Sequence, residues 1–456
     1  MKTYSFSRLA AVLIGGLFLA SGATAASPRS SGTDAVRMRL ELDRPVLPST
    51  GTERAVVRVS LEGAHRPRLQ VRPPVNLCLV IDRSGSMSGE KIQRAKEAAI
   101  EVVRRLDPDD AFSLVVYNSG VETLIPARRI GNRAGVESTI ESIFASGGTA
   151  LHGGVVRGAS ELRVFTEDPR YVHRMILLSD GQANVGPSTP VELARLGTNL
   201  LREGISVTTV GVGLDFNEDL MTQLAQRSDG NTYFVESSRD LARIFNAELG
   251  DVLSVVARRV VVKIEFSEGV RPLGFVGRDG SIRGQEAELA LNQLYGGQDK
   301  FALIEVEVSP AKAGSERELA RAQLQYDDPL VQREVKLQAQ ANVRFSSNDR
   351  EVIASANRSV QTDYARNVTA VAKEAAIVLV DAQKREEAAS QLRARNAELA
   401  SIAKVYGNSE VGRLVDDNAQ AAEQIEREGL SKASRKMYKA SSAQTINQQS
   451  TSSVSP

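Results

Sequence analysis

Asp82-Arg83-Ser84-Gly85-Ser86 sets one carboxylate and two hydroxyls within five residues of each other. A hard divalent cation takes oxygen ligands, and a serine hydroxyl reaches it as a neutral donor that leaves its charge uncancelled. Alone, this DxSxS spacing says little, because Asp and Ser are the usual turn and capping residues behind any strand. Two later segments strengthen it. Gly147-Gly148-Thr149 stands in a loop ahead of a helix starting near Leu151, and Ser179-Asp180-Gly181 ends the apolar run 175–178. If each segment closes its own element at one edge of one sheet, Asp82, Ser84, Ser86, Thr149 and Asp180 converge above that edge. A magnesium-sized ion there would be octahedral, with water filling the open positions.

Other chemistries fit less well. An EF-hand register from Asp82 puts Met87 where glycine belongs and Gln93 where a bidentate glutamate belongs. Gly211-Val212-Gly213 follows an apolar run, but Phe216 takes the place of the last glycine of GxGxxG, and no P-loop lysine exists. Three histidines, His65, His152 and His173, with no HExxH, disfavour zinc hydrolysis. His152 reads as a surface or capping residue, and Cys78 as a small apolar filler inside a strand. One cysteine excludes an internal disulfide and a thiolate cage.

The elements that must position the five residues follow from periodicity. Apolar runs at 75–81, 112–117, 172–178, 205–212 and 232–235 alternate with helical stretches that open near 92, 136, 151, 191, 218 and 239. Val121 to Ile125 reads as an edge strand. Runs such as Ile176-Leu177-Leu178 offer water no polar side, so the sheet must be covered on both faces. The expectation is an α/β, doubly wound, Rossmann-like domain over 73–254, with its ligand edge at the carboxyl ends of the strands.

Around this domain the period is two. Strands at 36–42 and 55–61 are too few to bury a core alone, and 255–348 carries four further alternating runs. The N-terminal strands, 36–72, are therefore expected to complete a β-sandwich with 255–348, with the α/β domain inserted between its halves. Residues 350–437 read as a helical C-terminal region, and 438–456, rich in Ser, Gln and Thr, as a disordered tail.

Residues 75–181 resemble a von Willebrand factor A domain, whose metal-ion-dependent adhesion site joins a DxSxS loop to a Thr and an Asp from later loops. The resemblance implies hydroxyl ligation by Ser84, Ser86 and, in the ligand-competent state, Thr149, with Asp82 and Asp180 acting largely through water. It also implies Mg2+, with Mn2+ or Ca2+ as alternatives, and a protein partner whose Asp or Glu completes the shell. The flanks resemble, more loosely, bacterial exported A-domain proteins of the YfbK group. The opening NLCLVIDRSGSM is similar to the A domains of inter-alpha-trypsin inhibitor heavy chains and calcium-activated chloride channel regulators. That similarity brings no channel or protease activity with it.

Lys2, Arg8, the apolar stretch 9–20 and Ala23-Thr24-Ala25 read as a signal peptide over 1–25, too short to span a bilayer. Of 57 basic and 56 acidic side chains, 55 and 56 remain once that leader is removed, so no strong field recruits nucleic acid or anionic lipid. The expected protein is an exported binder, periplasmic or at the cell surface, and not an enzyme. Arg83, Met87 and loops 118–120 and 182–186 are its expected rim. The rival readings are a metal-dependent hydrolase, which needs a general base, and an envelope scaffold whose metal only stabilises loops.

Overall fold

A computed structural model describes residues 35–65 and 72–449. The expected signal peptide, the leader behind it and residues 450–456 of the expected tail lie outside the described residues.

Among the described residues three strands come first: β1 (Val36–Leu42), β2 (Val46–Pro48) and β3 (Glu53–Gly63). β1 and β3 pair antiparallel, with Leu40 opposite Val59 and Leu42 opposite Val57. The chain then enters the α/β unit, in order β4 (Val75–Asp82), α1 (Glu90–Arg105), β5 (Ala111–Tyr117), β6 (Val121–Arg129), α2 (Arg133–Glu141) and α3 (Leu151–Arg163). β7 (Val172–Ser179), α4 (Pro190–Arg202), β8 (Ile205–Val212), α5 (Glu218–Arg227), β9 (Thr232–Val235) and α6 (Leu241–Val252) complete it. The sheet order is β6-β5-β4-β7-β8-β9, parallel except for the antiparallel β5–β6 pair.

Every residue of β4, β5, β7 and β8 is buried. Alternate β4 side chains serve opposite layers, as the pleat requires. Leu77, Leu79 and Ile81 pack with Ala95, Ala99 and Val102 of α1 and with α6, whereas Cys78 and Val80 pack with Val155 and Ala159 of α3 and with α4 and α5. A sheet covered on both faces leaves only its strand ends free to carry a site.

Seven strands follow: β10 (Val255–Phe266), β11 (Val270–Val276), β12 (Ser281–Arg283), β13 (Glu286–Tyr295), β14 (Asp299–Val308), β15 (Glu316–Asp328) and β16 (Arg333–Ser346). β3 pairs with β14, placing Val57 opposite Ile304, and β2 runs parallel to β16, with Leu47 opposite Phe345. The sheets β1-β3-β14-β11 and β12-β13-β10-β15-β16-β2 share one core that includes Val57, Val59, Val262, Leu289, Ile304 and Leu324. Two sheets burying their inner faces together form a sandwich.

The sandwich meets the α/β sheet at the amino ends of its strands. Asn292 Nδ2 donates to Ser206 Oγ at 2.6 Å, and Gln293 Nε2 donates to the His173 carbonyl at 3.2 Å. In the loop after α5, Asp229 accepts from Lys300 of β14 at 2.9 and 3.0 Å and from Arg278 at 3.1 Å. Burial pushes the Asp229 carboxyl up, but the two cations outweigh it and hold the group below its ordinary range. The six residue steps from His173 to Ser179 span roughly 20 Å, so the carboxyl edge points away from the sandwich.

Five helices come last among the described residues: α7 (Asp349–Ala354), α8 (Arg358–Asp381), α9 (Arg385–Tyr406), α10 (Ser409–Glu428) and α11 (Lys432–Asn447). Val360 of α8 packs on Val56 and Leu303, which seats the helices on the sandwich. α11 corrects the expected disordered tail from residue 438 through its last helical residue. Its Ala443 and Ile446 are buried, Gln444 Nε2 donates to the Thr232 carbonyl at 3.2 Å, and beyond it Gln449 Oε1 accepts from Thr232 N at 3.0 Å. β9 is an edge strand, and these polar side chains satisfy its free backbone in place of a neighbouring strand. Low apolar content was misleading because the order comes from polar pairing with a distant edge.

Candidate metal centre

β4 delivers Asp82 at its last position, fully buried. Asp82 Oδ1 accepts from Ser84 N and Oδ2 from the Ser179 hydroxyl, both at 2.8 Å, which ties the first loop to the end of β7. Burial pushes the Asp82 carboxyl up to about 6; the hydrogen bonds from Ser84 and Ser179 oppose the shift and the nearby Asp180 charge adds to it. The chain then tightens into a short turn, Gly85–Met87, before α1.

The hydroxyls form a chain. Ser84 Oγ lies 3.0 Å from Ser86 Oγ, and Ser86 Oγ donates to Asp180 Oδ1 at 2.7 Å. An ionised carboxylate only accepts, so Ser86 spends its proton on Asp180 and Ser84 must donate to Ser86. The other oxygen of Asp180 accepts from the Lys91 ammonium. Thr149 is brought in by backbone clips: Gly85 N donates to the Gly147 carbonyl at 3.0 Å, and Ser146 N to the Arg83 carbonyl at 2.8 Å. Thr149 N donates to Asn184 Oδ1 at 2.8 Å, and Asn184 N returns to the Thr149 carbonyl at 3.1 Å.

Gly181 locates the centre of the cluster. A Cβ at this position would lie 3.4 Å from Ser86 Oγ, 3.4 Å from Thr149 Oγ1 and 4.0 Å from Ser84 Oγ. Three hydroxyl oxygens from two loops thus face one point that the missing side chain leaves open; behind them Asp180 holds the Ser86 hydroxyl, and Asp82 holds the Ser84 backbone N–H and the Ser179 hydroxyl. Among the described residues no three His, Cys, Asp or Glu side chains cluster as a metal cage. The donor set, neutral hydroxyls backed by two carboxylates, fits a hard divalent cation and does not suit a soft one.

All five residues named from the sequence therefore gather at the carboxyl edge of the sheet. The expected rim needs correction. Met87 is wholly buried, packed in the core shared by β4 and α1, because the short turn after Gly85 directs it inward. Arg83 is held by Glu122 at 2.8 Å and stacks over Phe144, its guanidinium carbon 5.9 Å from the ring centroid. Phe144, Leu214 and Val185 stand 67%, 41% and 37% exposed on loops around the hydroxyls. Val185 lies in the loop 182–186 expected at the rim; periodicity could not find Phe144 and Leu214, since nothing in a loop sequence tells an outward apolar residue from an inward one. Cys78 is sealed in the α3 side of the core, and burial pushes its thiol up to about 12, which removes it as a nucleophile near neutral pH.

Residues 76–247 match the von Willebrand factor type A domain family. This segment is a von Willebrand factor type A domain. The chain is 28% identical over 268 residues to the uncharacterized protein sll0103 of Synechocystis sp., a match covering 57% of this chain and 63% of that one. To the uncharacterized protein YfbK of Escherichia coli it is 26% identical over 218 residues, 47% of this chain and 37% of that one. Human inter-alpha-trypsin inhibitor heavy chain H4 matches at 30% over 206 residues, 42% of this chain and 21% of that one. The matches thus span less than two thirds of each relative's length. In fold, a von Willebrand factor type A protein from Catenulispora acidiphila superposes with a TM-score of 0.69 at 17% identity, covering 91% of this chain and 98% of that one. The ArnB paralog VWA2 from Sulfolobus acidocaldarius gives 0.59 at 17% identity, covering 90% and 98%. These coverages take in the sandwich and helices as well as the A domain.

Proposed function

We propose that the A domain binds a protein partner through a divalent cation, Mg2+ in the first instance, that accepts an Asp or Glu of the partner. The observation that carries this reading is the convergence of Ser84, Ser86 and Thr149 on the point beside Gly181, with only two carboxylates behind them. A cation seated there would supply an electrophilic centre for an incoming carboxylate. Neutral hydroxyls leave that charge largely uncancelled, while buried Asp180 orients the Ser86 hydroxyl and buried Asp82 fixes the Ser84 backbone beside it. Phe144, Val185 and Leu214 add an apolar border, so the partner residue is an acid flanked by apolar side chains. Residues 1–25 have the pattern of an export signal, and the proposed partner is accordingly an envelope or surface protein.

Capture from envelope extract tests the reading. Retention with Mg2+ should fall at least ~10-fold with EDTA and with Asp82→Ala, and Phe144→Ser should weaken capture without changing the ion requirement. Capture indifferent to both EDTA and Asp82→Ala would instead favour a scaffold whose metal serves its loops. Metal-dependent turnover of generic esters would favour a hydrolase.

A further inference from the structure

Lys91 has no role in the reading above, and its placement calls for one. It lies in the first turn of α1, where unpaired backbone N–H groups make a basic side chain unfavourable. Gly89 caps this helix without a side-chain hydrogen bond, and the acid of the first turn, Glu90, pairs with Arg94 and Arg239 and not with Lys91. The ammonium lies by Gly213, 3.8 Å from where a Cβ would stand, and donates to Asp180 Oδ2. It remains 33% exposed, whereas Asp180 is sealed. The opposite oxygen of the same carboxylate holds Ser86, whose hydroxyl faces the point beside Gly181. One buried carboxylate is thus shared between a tethered cation and the hydroxyl cluster.

We propose that Lys91 is a built-in counter-cation that sets how tightly this site holds a divalent ion. This rests on reading the hydroxyl cluster as an ion site. The ammonium neutralises Asp180 and repels a second positive charge across the same carboxylate, so the ion is held firmly only when a partner's carboxylate restores negative charge. Ion and partner then bind cooperatively, and the site engages acidic partners in preference to standing permanently loaded.

The test is a Mn2+ titration, followed by the EPR signal of free Mn2+, on the full chain and on Lys91→Met and Lys91→Arg, with melting temperatures measured with and without the ion. Lys91→Met should bind Mn2+ roughly 10-fold tighter or more, while Lys91→Arg, which keeps the charge, should stay near wild type. Lys91→Met should also melt lower without added ion and show the larger ion-induced rise, since the ion replaces the lost partner of Asp180. A structural role alone would weaken binding in both variants. Equal or weaker binding by Lys91→Met, or tightening by Lys91→Arg as well, would overturn the proposal while leaving the ion site standing. Wild type that binds no Mn2+ above the Asp82→Ala baseline would overturn the ion site and Lys91's role together.

Discussion

Gly181 is the residue where the account is most exposed to test. Its imagined Cβ meets three hydroxyl oxygens at 3.4 to 4.0 Å, ordinary contact distances, so Gly181→Ala should fold with a melting temperature close to wild type. The same methyl occupies the space a cation needs, and Mn2+ affinity measured by calorimetry should fall by ~10-fold or more. Unchanged affinity would place the ion elsewhere. Asp82, Ser84, Ser86 and Asp180 are legible because they end or follow strands that announce themselves by their apolar runs, and Thr149 because Gly147-Gly148 precedes it ahead of a helix. Met87 and Phe144 were not. One lies two residues before Gly89 and turns inward, the other lies in a loop and turns out, and only the three-dimensional path of the chain separates them.

At the scale of elements, β7 carries a titrating group along with its part of the site. His173 is buried near the strand's amino end, and its Nδ1 accepts from Asn76 Nδ2 at 3.0 Å, which requires the neutral ring. Burial, aided by the charge of Arg258, lowers its value from 6.5 to about 4. Below pH 6.5 the unfolded chain takes up a proton that the folded one refuses, so this stabilisation is present above that pH and lost as pH falls toward 4. The loss amounts to up to about 3 kcal/mol. His173→Gln should therefore show a flatter melting-temperature profile than wild type between those limits; parallel profiles would contradict the assignment. Periodicity revealed the α/β alternation because β4 and its neighbours divide their side chains between two layers. It missed α11, whose order comes from Gln444 and Gln449 bonding an edge strand more than 200 residues earlier.

Across the whole molecule, the A domain is anchored at one end of its sheet and presents its hydroxyl cluster at the other. Asp229 is the hub of the anchored end, accepting from Lys300, Arg278 and the Asn292 backbone N–H at 2.8 Å, while Arg278 also reaches the Asn447 carbonyl at 2.9 Å. Asp229→Ala strands two buried cations and should destabilise the chain by about 3–5 kcal/mol, read as a lower urea midpoint, without altering Mn2+ affinity at the far edge. No alternation or motif signals that hub, because its members come from three separate parts of the chain. The most direct test of the central claim is anomalous diffraction from a crystal soaked in Mn2+. One strong peak is expected beside Gly181, within bonding reach of the Ser84 and Ser86 hydroxyls and bordered by Thr149, Asp82 and Asp180. Well-ordered side chains at those five positions with no peak between them, or a peak held by other residues, would contradict it.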